Sequence, residues 1–165
     1  MNQVTKLTVP HQITRNGSAL VFQIENEYGY QWTNANTKAP NNTGIQYMEL
    51  LEANARKNGI DIPLIHNNPN MNSKSWSKDY DTVGAGGDVD VYGIDSYPSC
   101  WSCNLAECGG AFVPYQIQYY YEHFQSVSPT QPSFMPEFQG GSYNPWGGPE
   151  GKYKSELEED ITNLS

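Results

Sequence analysis

The chain has 165 residues and a formal net charge of −9; 37% of its residues are hydrophobic, 13% aromatic and 16% charged. That aromatic share excludes a disordered segment and suffices for one domain with a core. The acidity excludes the basic patch that a nucleic-acid partner needs, and no run approaches the roughly 18 apolar residues of a membrane span.

The first residues, MNQVTKLTVPHQITRNG, lack the continuous apolar stretch of a secretory signal. Residues 19–27, ALVFQIENE, read as a strand that is apolar at its start and polar at its C-terminal end. An aromatic, polar loop follows, YGYQWTNANTKAPNN. The next segment is a helix, with Thr43 as N-cap and Gln46 three residues later in a capping-box pattern. Met48, Leu51 and Ala55 share one face of it, and Gly59 stops it. IPLIHNN is a second strand, again ending in polar residues. PNMNSKSWSKDYDTVGAGG reads as irregular, with room for a short helix.

DVDVYGIDSYP alternates and then turns polar, as a third strand. After the loop SCWSCNLAECGG, VPYQIQYYYEHFQSV is a helix whose Ile117, Tyr120, Tyr121 and Phe124 form a core-facing stripe. PSFMPEFQGG is a fourth strand with a carboxylate near its end. The tail GKYKSELEEDITNLS suggests the start of another helix with a solvated acidic face.

Strands alternating with helical segments predict an α/β fold with parallel strands. In a β/α barrel and in a doubly wound sheet alike, functional groups gather at the C-terminal strand ends. No Gly-rich phosphate loop follows any strand; GAGG at 84–87 precedes one. Four strands are half of what a (β/α)8 TIM barrel needs. The expectation is therefore a single, incomplete barrel domain over residues 1–165.

Cys100, Cys103 and Cys108 cluster as C-x2-C-x4-C. A zinc site needs about four ligands, and only Glu107 or His123 stands ready to complete one, so disulfide chemistry with one cysteine left over is the preferred reading. The sequons at Asn16, Asn41 and Asn163 are candidate glycan acceptors. His11, His66 and His123 carry no motif.

Glu27 and Glu137 each stand near the C-terminal end of a predicted parallel strand. Acetal hydrolysis uses two such carboxyls, one giving a proton to the leaving oxygen and the other acting from the opposite side. A separation of about 5 Å between them means retention through a covalent intermediate. Strand alternation points Glu25 and Glu27 the same way and Asn26 opposite. A bulge or strand-end twist must therefore bring Asn26 and Glu27 into one site. Glu25 is expected to be structural, in an ion pair. Trp32, Trp101 and Trp146 lie in predicted loops, where one is a candidate platform for a sugar's apolar face and packing is the alternative.

LVFQIENEYGY, VYGIDSYP and PSFMPEFQGGSYNPWGG, in this order, resemble family 35 of the glycoside hydrolases, the β-galactosidases, and most closely its large secreted fungal members. The resemblance runs from about Pro10 to Gly151. It implies that the chain holds about strands 4 to 7 of the catalytic barrel with their helices. It also implies Glu27 as general acid/base, Glu137 as nucleophile, Asn26 as partner of the sugar 2-hydroxyl, and Tyr97 as a donor beside Glu137. The substrate expected is a terminal β-galactoside such as lactose or a plant-wall galactan, with no metal or other cofactor, no nucleic acid and no membrane.

Partners expected from the resemblance are the rest of the barrel and downstream β domains, in a secreted glycoprotein. Cys103 is placed like a cysteine that pairs beyond the nucleophile in fungal relatives, and no cysteine follows Cys108 here. The isolated polypeptide is expected to be nearly inactive. Two competing readings are a glycosidase of the same clan with another sugar specificity and a non-catalytic carbohydrate-binding fragment.

Overall fold

The computed structural model describes residues 2–34, 38–69, 73–96 and 116–138. Helix α1 (Asn2–Thr8) leads through two short 3-10 turns to strand β1 (Phe22–Asn26). A two-stranded antiparallel ribbon, β2 (Trp32–Asn34) with β3 (Ala39–Pro40), occupies the segment read as loop. Helix α2 (Asn42–Lys57), strands β4 (Leu64–Asn68) and β5 (Val91–Ser96), helix α3 (Gln116–Val127) and strand β6 (Glu137–Phe138) complete the order. Among the described residues, the segment from 73 to 90 contains no helix.

The main sheet has the order β1-β4-β5-β6, and each neighbouring pair is parallel. Each new strand is laid on the same side of the last. That single winding direction is what a β/α barrel requires, whereas a doubly wound sheet reverses at a switch point.

One face of the sheet is apolar and carries the helices. Phe22 and Ile24 of β1 and Leu64 of β4 pack with Ile45, Met48 and Ala55 of α2. A second cluster joins Tyr92 and Ile94 of β5 to Tyr120, Phe124 and Val127 of α3. Each such aliphatic or aromatic burial is worth about 1.5–3 kcal/mol before entropy is counted. The α3 seam differs from the expected stripe: Tyr120 and Phe124 are buried, but Tyr121 is 62% exposed. The seam runs through Tyr120, Phe124 and Val127, at i, i+4 and i+7.

The N-cap of α2 is Asn41, whose side chain accepts from Gly44 N at 3.2 Å; Thr43 lies inside the helix. Either residue type is a good cap, and Asn41 comes first in the chain. Gly59 does end the helix as expected, with φ 92°, Gly59 N–H bonded to Arg56 O and Ile60 N–H to Ala55 O. This is the Schellman pattern, sealed by contact of Ile60 and Ala55 within the core. Arg56 then steadies the approach to β4. Its guanidinium donates to Ile60 O (3.1 Å), Ile62 O (2.7 Å) and Asp90 Oδ2 (2.5 Å). Asp90 Oδ2 also accepts Leu64 N–H at 2.7 Å, so α2, β4 and the start of β5 share one tie.

Candidate active site

The face of the sheet turned away from the helices is polar at its C-terminal end, and a bulge in β1 makes it so. The register runs Phe22↔Leu64 and Gln23↔Ile65, then shifts, so that Glu25 pairs with His66 and Asn26 with Asn67. Ile24 is the extra residue. In a regular strand Gln23 and Asn26 face opposite ways; the inserted residue puts both on the polar face. Gln23 Nε2 lies 3.2 Å from Asn26 Oδ1, which records this. The same slip turns Glu25 toward the helix layer.

There Glu25 Oε1 accepts from Tyr47 Oη of α2 at 3.3 Å, while Oε2 is buried without a hydrogen-bond partner. His66 Nε2 lies 3.7 Å from that Oε2. This is not the expected ion pair. His66 is 1% exposed, and burial lowers its pKa to about 4. Its Nε2 accepts the Tyr28 backbone N–H at 3.0 Å, so the ring is neutral with its hydrogen on Nδ1.

Glu27 follows the bulge with φ 56°, a left-handed conformation that costs a non-glycine residue about 1–2 kcal/mol. Three hydrogen bonds hold it there. Glu27 N–H donates to Asn67 O at 2.9 Å, Tyr28 N–H donates to His66, and Trp76 Nε1–H donates to Tyr28 O. Trp76 is fully buried and its ring stacks on Tyr28 at 5.7 Å between centroids. The Glu27 side chain itself is exposed.

Asn67 of β4 joins the two ends of the sheet. Its Oδ1 accepts from Gln23 Nε2 at 2.6 Å, and its Nδ2 donates to Asn26 Oδ1 at 2.8 Å and to Asp95 Oδ2 of β5. Nδ2 also lies 3.4 Å from Glu137 Oε1. Strands β4 and β6 are two sheet spacings apart, about 9.6 Å in a flat sheet. The long Glu137 side chain and the Asn67 amide lean toward each other across β5 to make this contact. Two amide donors converge on Asn26 Oδ1, so its Nδ2 is turned outward as a donor.

Asp95 pairs in register with Glu137 across β5 and β6. It is 1% exposed, and its Oδ1 is buried without a hydrogen-bond partner. Burial pushes its pKa up to about 6; the Asn67 bond pulls it down, and the charges of Glu137 and Glu27 push it further up. Both glutamates thus act on one buried carboxyl from opposite edges of the sheet, at the same end.

Of the residues singled out in the sequence, Asn26, Glu27 and Glu137 gather at this end. Tyr97, Cys100, Cys103, Cys108, Trp101, Trp146 and the acidic tail lie outside the described residues. Trp32 is only 6% exposed and meets Tyr80 edge-on, so it packs. Gln23, His66, Asn67 and Asp95 escaped the sequence reading as site residues. For His66, Asn67 and Asp95 the polar endings of LIHNN and VYGIDS were the only signal, and for Gln23 it was a polar residue within the apolar start of β1. Among the described residues, no group of three or more His, Cys, Asp or Glu side chains forms a metal-binding cluster.

Comparison with known proteins gives the same family along the whole chain. The family model "Glycosyl hydrolases family 35" matches residues 1–164. The chain is 61% identical to "Probable beta-galactosidase B" of Pyrenophora tritici-repentis over 166 residues, covering 99% of this chain and 16% of that protein. It is 54% identical to the Aspergillus fumigatus protein of the same name, covering 98% of this chain and 16% of that protein. For the Sclerotinia sclerotiorum protein of that name the identity is 53%, with the same coverage. The chain therefore spans about 16% of the length of these relatives. The solved "Ignisphaera aggregans GH53 catalytic domain" is similar with a TM-score of 0.48 and 14% identity, over 92% of this chain and 56% of that one. With a family match over residues 1–164 and relatives at 53–61% identity, the chain belongs to glycosyl hydrolase family 35.

Proposed function

We propose that this chain carries both catalytic glutamates of a retaining β-galactosidase and contributes about strands 4 to 7 of its (β/α)8 barrel. The observation that carries the reading is that Asn67 reaches both Asn26, the residue before Glu27, at 2.8 Å and Glu137 at 3.4 Å, at one end of a parallel sheet. The names of the relatives support galactose as the sugar. In the first step Glu27 gives its proton to the glycosidic oxygen while Glu137 attacks the anomeric carbon. The bond to the leaving alcohol breaks and a glycosyl ester on Glu137 forms. In the second step Glu27 takes a proton from water, whose oxygen displaces Glu137 and retains the configuration.

Asn26, with its amide nitrogen turned outward, donates to the sugar 2-hydroxyl, and Tyr97 donates to Glu137. Substrates are terminal β-galactosides such as lactose and plant-wall galactans, met outside the cell. The rest of the barrel and further β domains complete the enzyme. Glu27 and Asn26 stand exposed on the polar face, so the 165 residues alone turn over little substrate.

The test is made in the full-length enzyme with a nitrophenyl β-galactoside. Glu27→Ala and Glu137→Ala are each expected to lower turnover by several orders of magnitude. Azide then rescues the Glu27 variant with a β-galactosyl azide product and the Glu137 variant with the α-anomer. Unchanged turnover in either variant, or the same anomer from both, overturns the assignment.

A further inference from the structure

A side-chain amide carries a donor at one end and an acceptor at the other, on nearly the same shape. Which end Asn26 shows to a sugar is therefore a chemical choice, and its neighbours make it. Two groups that can only accept set the polarity. One is the backbone carbonyl of Glu25, to which Gln23 Nε2 donates at 3.1 Å. The other is the Asp95 carboxylate, whose Oδ2 accepts from Asn67 Nδ2. Glu137 Oε1, 3.4 Å from the same nitrogen, is a further acceptor. The nitrogen ends of Gln23 and Asn67 are thus fixed from opposite sides, and they agree: Gln23 Nε2 donates to Asn67 Oδ1 at 2.6 Å. Both nitrogens also reach Asn26 Oδ1, from Gln23 at 3.2 Å and from Asn67 at 2.8 Å. A reversed Asn26 amide would set its own N–H groups against these two donors.

We propose that Asn67 and Gln23 are a pair of positioning residues that hold the Asn26 amide with its donor outward and so set the preference of the site for a sugar bearing a 2-hydroxyl. The proposal rests on the reading of Asn26 as the partner of that hydroxyl. Asn67 is the firmer clamp, because it is fully buried on β4 between β1 and β5, whereas Gln23 is exposed. Polarity matters because the hydroxyl has a single proton. When Asn26 donates to its oxygen, that proton stays available to an acceptor such as Glu137, and contacts of the 2-hydroxyl strengthen in the transition state. A reversed amide would take the proton itself.

The test uses the full-length enzyme with two substrates, a nitrophenyl β-galactoside and its 2-deoxy analogue. The ratio of their kcat/KM values reports what the 2-hydroxyl contributes in the transition state. Asn26→Ala gives the ratio that remains without the amide. Asn67→Leu keeps a similar bulk and removes the donor. It is expected to lower the ratio by about tenfold, as the loss of one oriented hydrogen bond does. Gln23→Leu is expected to lower it by a smaller factor. Added to Asn26→Ala, Asn67→Leu changes the ratio no further, because the two act through one contact. A merely structural role lowers kcat/KM for both substrates alike and leaves the ratio at its wild-type value.

An unchanged ratio in Asn67→Leu overturns the proposal, and so does a further fall in the double variant. If Asn67→Leu does not fold, Gln23→Leu on the exposed edge of the sheet decides by the same measure. Asn26→Ala keeps the two readings apart. A ratio that falls in Asn26→Ala and stands in the other variants sinks only the pair. A ratio that stands in Asn26→Ala sinks the assignment of Asn26 to the 2-hydroxyl, and the pair with it.

Discussion

Replacing His66 by Leu tests how the exposed Glu27 is aimed. The substitution places an apolar side chain in a buried site and removes the acceptor for Tyr28 N–H. A buried donor left unpaired costs about 1–3 kcal/mol. Tyr28 is only half-buried, so the lower part of that range applies, about 1–1.5 kcal/mol. The turn at Glu27 already carries a left-handed strain of about 1–2 kcal/mol, held against release by three hydrogen bonds. Losing one of them shifts the opening equilibrium by roughly tenfold, since about 1.4 kcal/mol is a factor of ten.

Hydrogen exchange at the Tyr28 amide, read by mass spectrometry, is expected to quicken by about that factor. In the full-length enzyme kcat/KM falls with it, because the acid/base group is less often in place. His66→Gln keeps an acceptor within reach of the N–H and is expected to recover most of both. Exchange in His66→Leu as slow as in wild type, or His66→Gln as damaging as His66→Leu, refutes the reasoning.

Two further outcomes follow from the surrounding scaffold. A methyl group at Gly93 would stand 2.9 Å from both His66 O and Pro136 Cδ, so Gly93→Ala must push β6 outward just before Glu137. A loss of about 1–3 kcal/mol in stability is expected, with reduced turnover, checked by thermal melting and the galactoside assay. Asp88 is held up to about pKa 6 by burial and by Asp81, while Gln31 Nε2 donates to it at 3.1 Å. Its folded pKa is raised from 3.8, so stability falls as pH rises from about 4, and the loss is complete above about 6. Asp88→Asn keeps the acceptor for Gln31 and is expected to raise the melting temperature at pH 7.5 but not near pH 4. The gain is about 1 kcal/mol, because the side chain is only half-buried and solvent screens it.

Periodicity and punctuation were enough to locate the four parallel strands, α2 with its Gly59 stop, and the α3 helix. These signals are local: a run of apolar residues, a 3.6-residue stripe, a glycine where φ must be positive. Asn41 in place of Thr43 as cap, and Tyr121 turned to solvent, depended on which of two similar neighbours the packing chose. The sequence also led to Asn26, Glu27 and Glu137, because carboxylates at strand ends are conspicuous and the flanking motifs resemble a known family.

A device to reconcile Asn26 with Glu27 was required by alternation alone. Its position at Ile24, and the rotation of Glu25 onto Tyr47, came from the register against β4. Asn67, Asp95 and His66 gained meaning only when the strands came together in register. A strand's own residues determine which of them are apolar, but which polar side chains meet is decided by neighbours distant in sequence. Convergence on one amide across β1, β4, β5 and β6 is a property of strand order and register, which no single segment encodes.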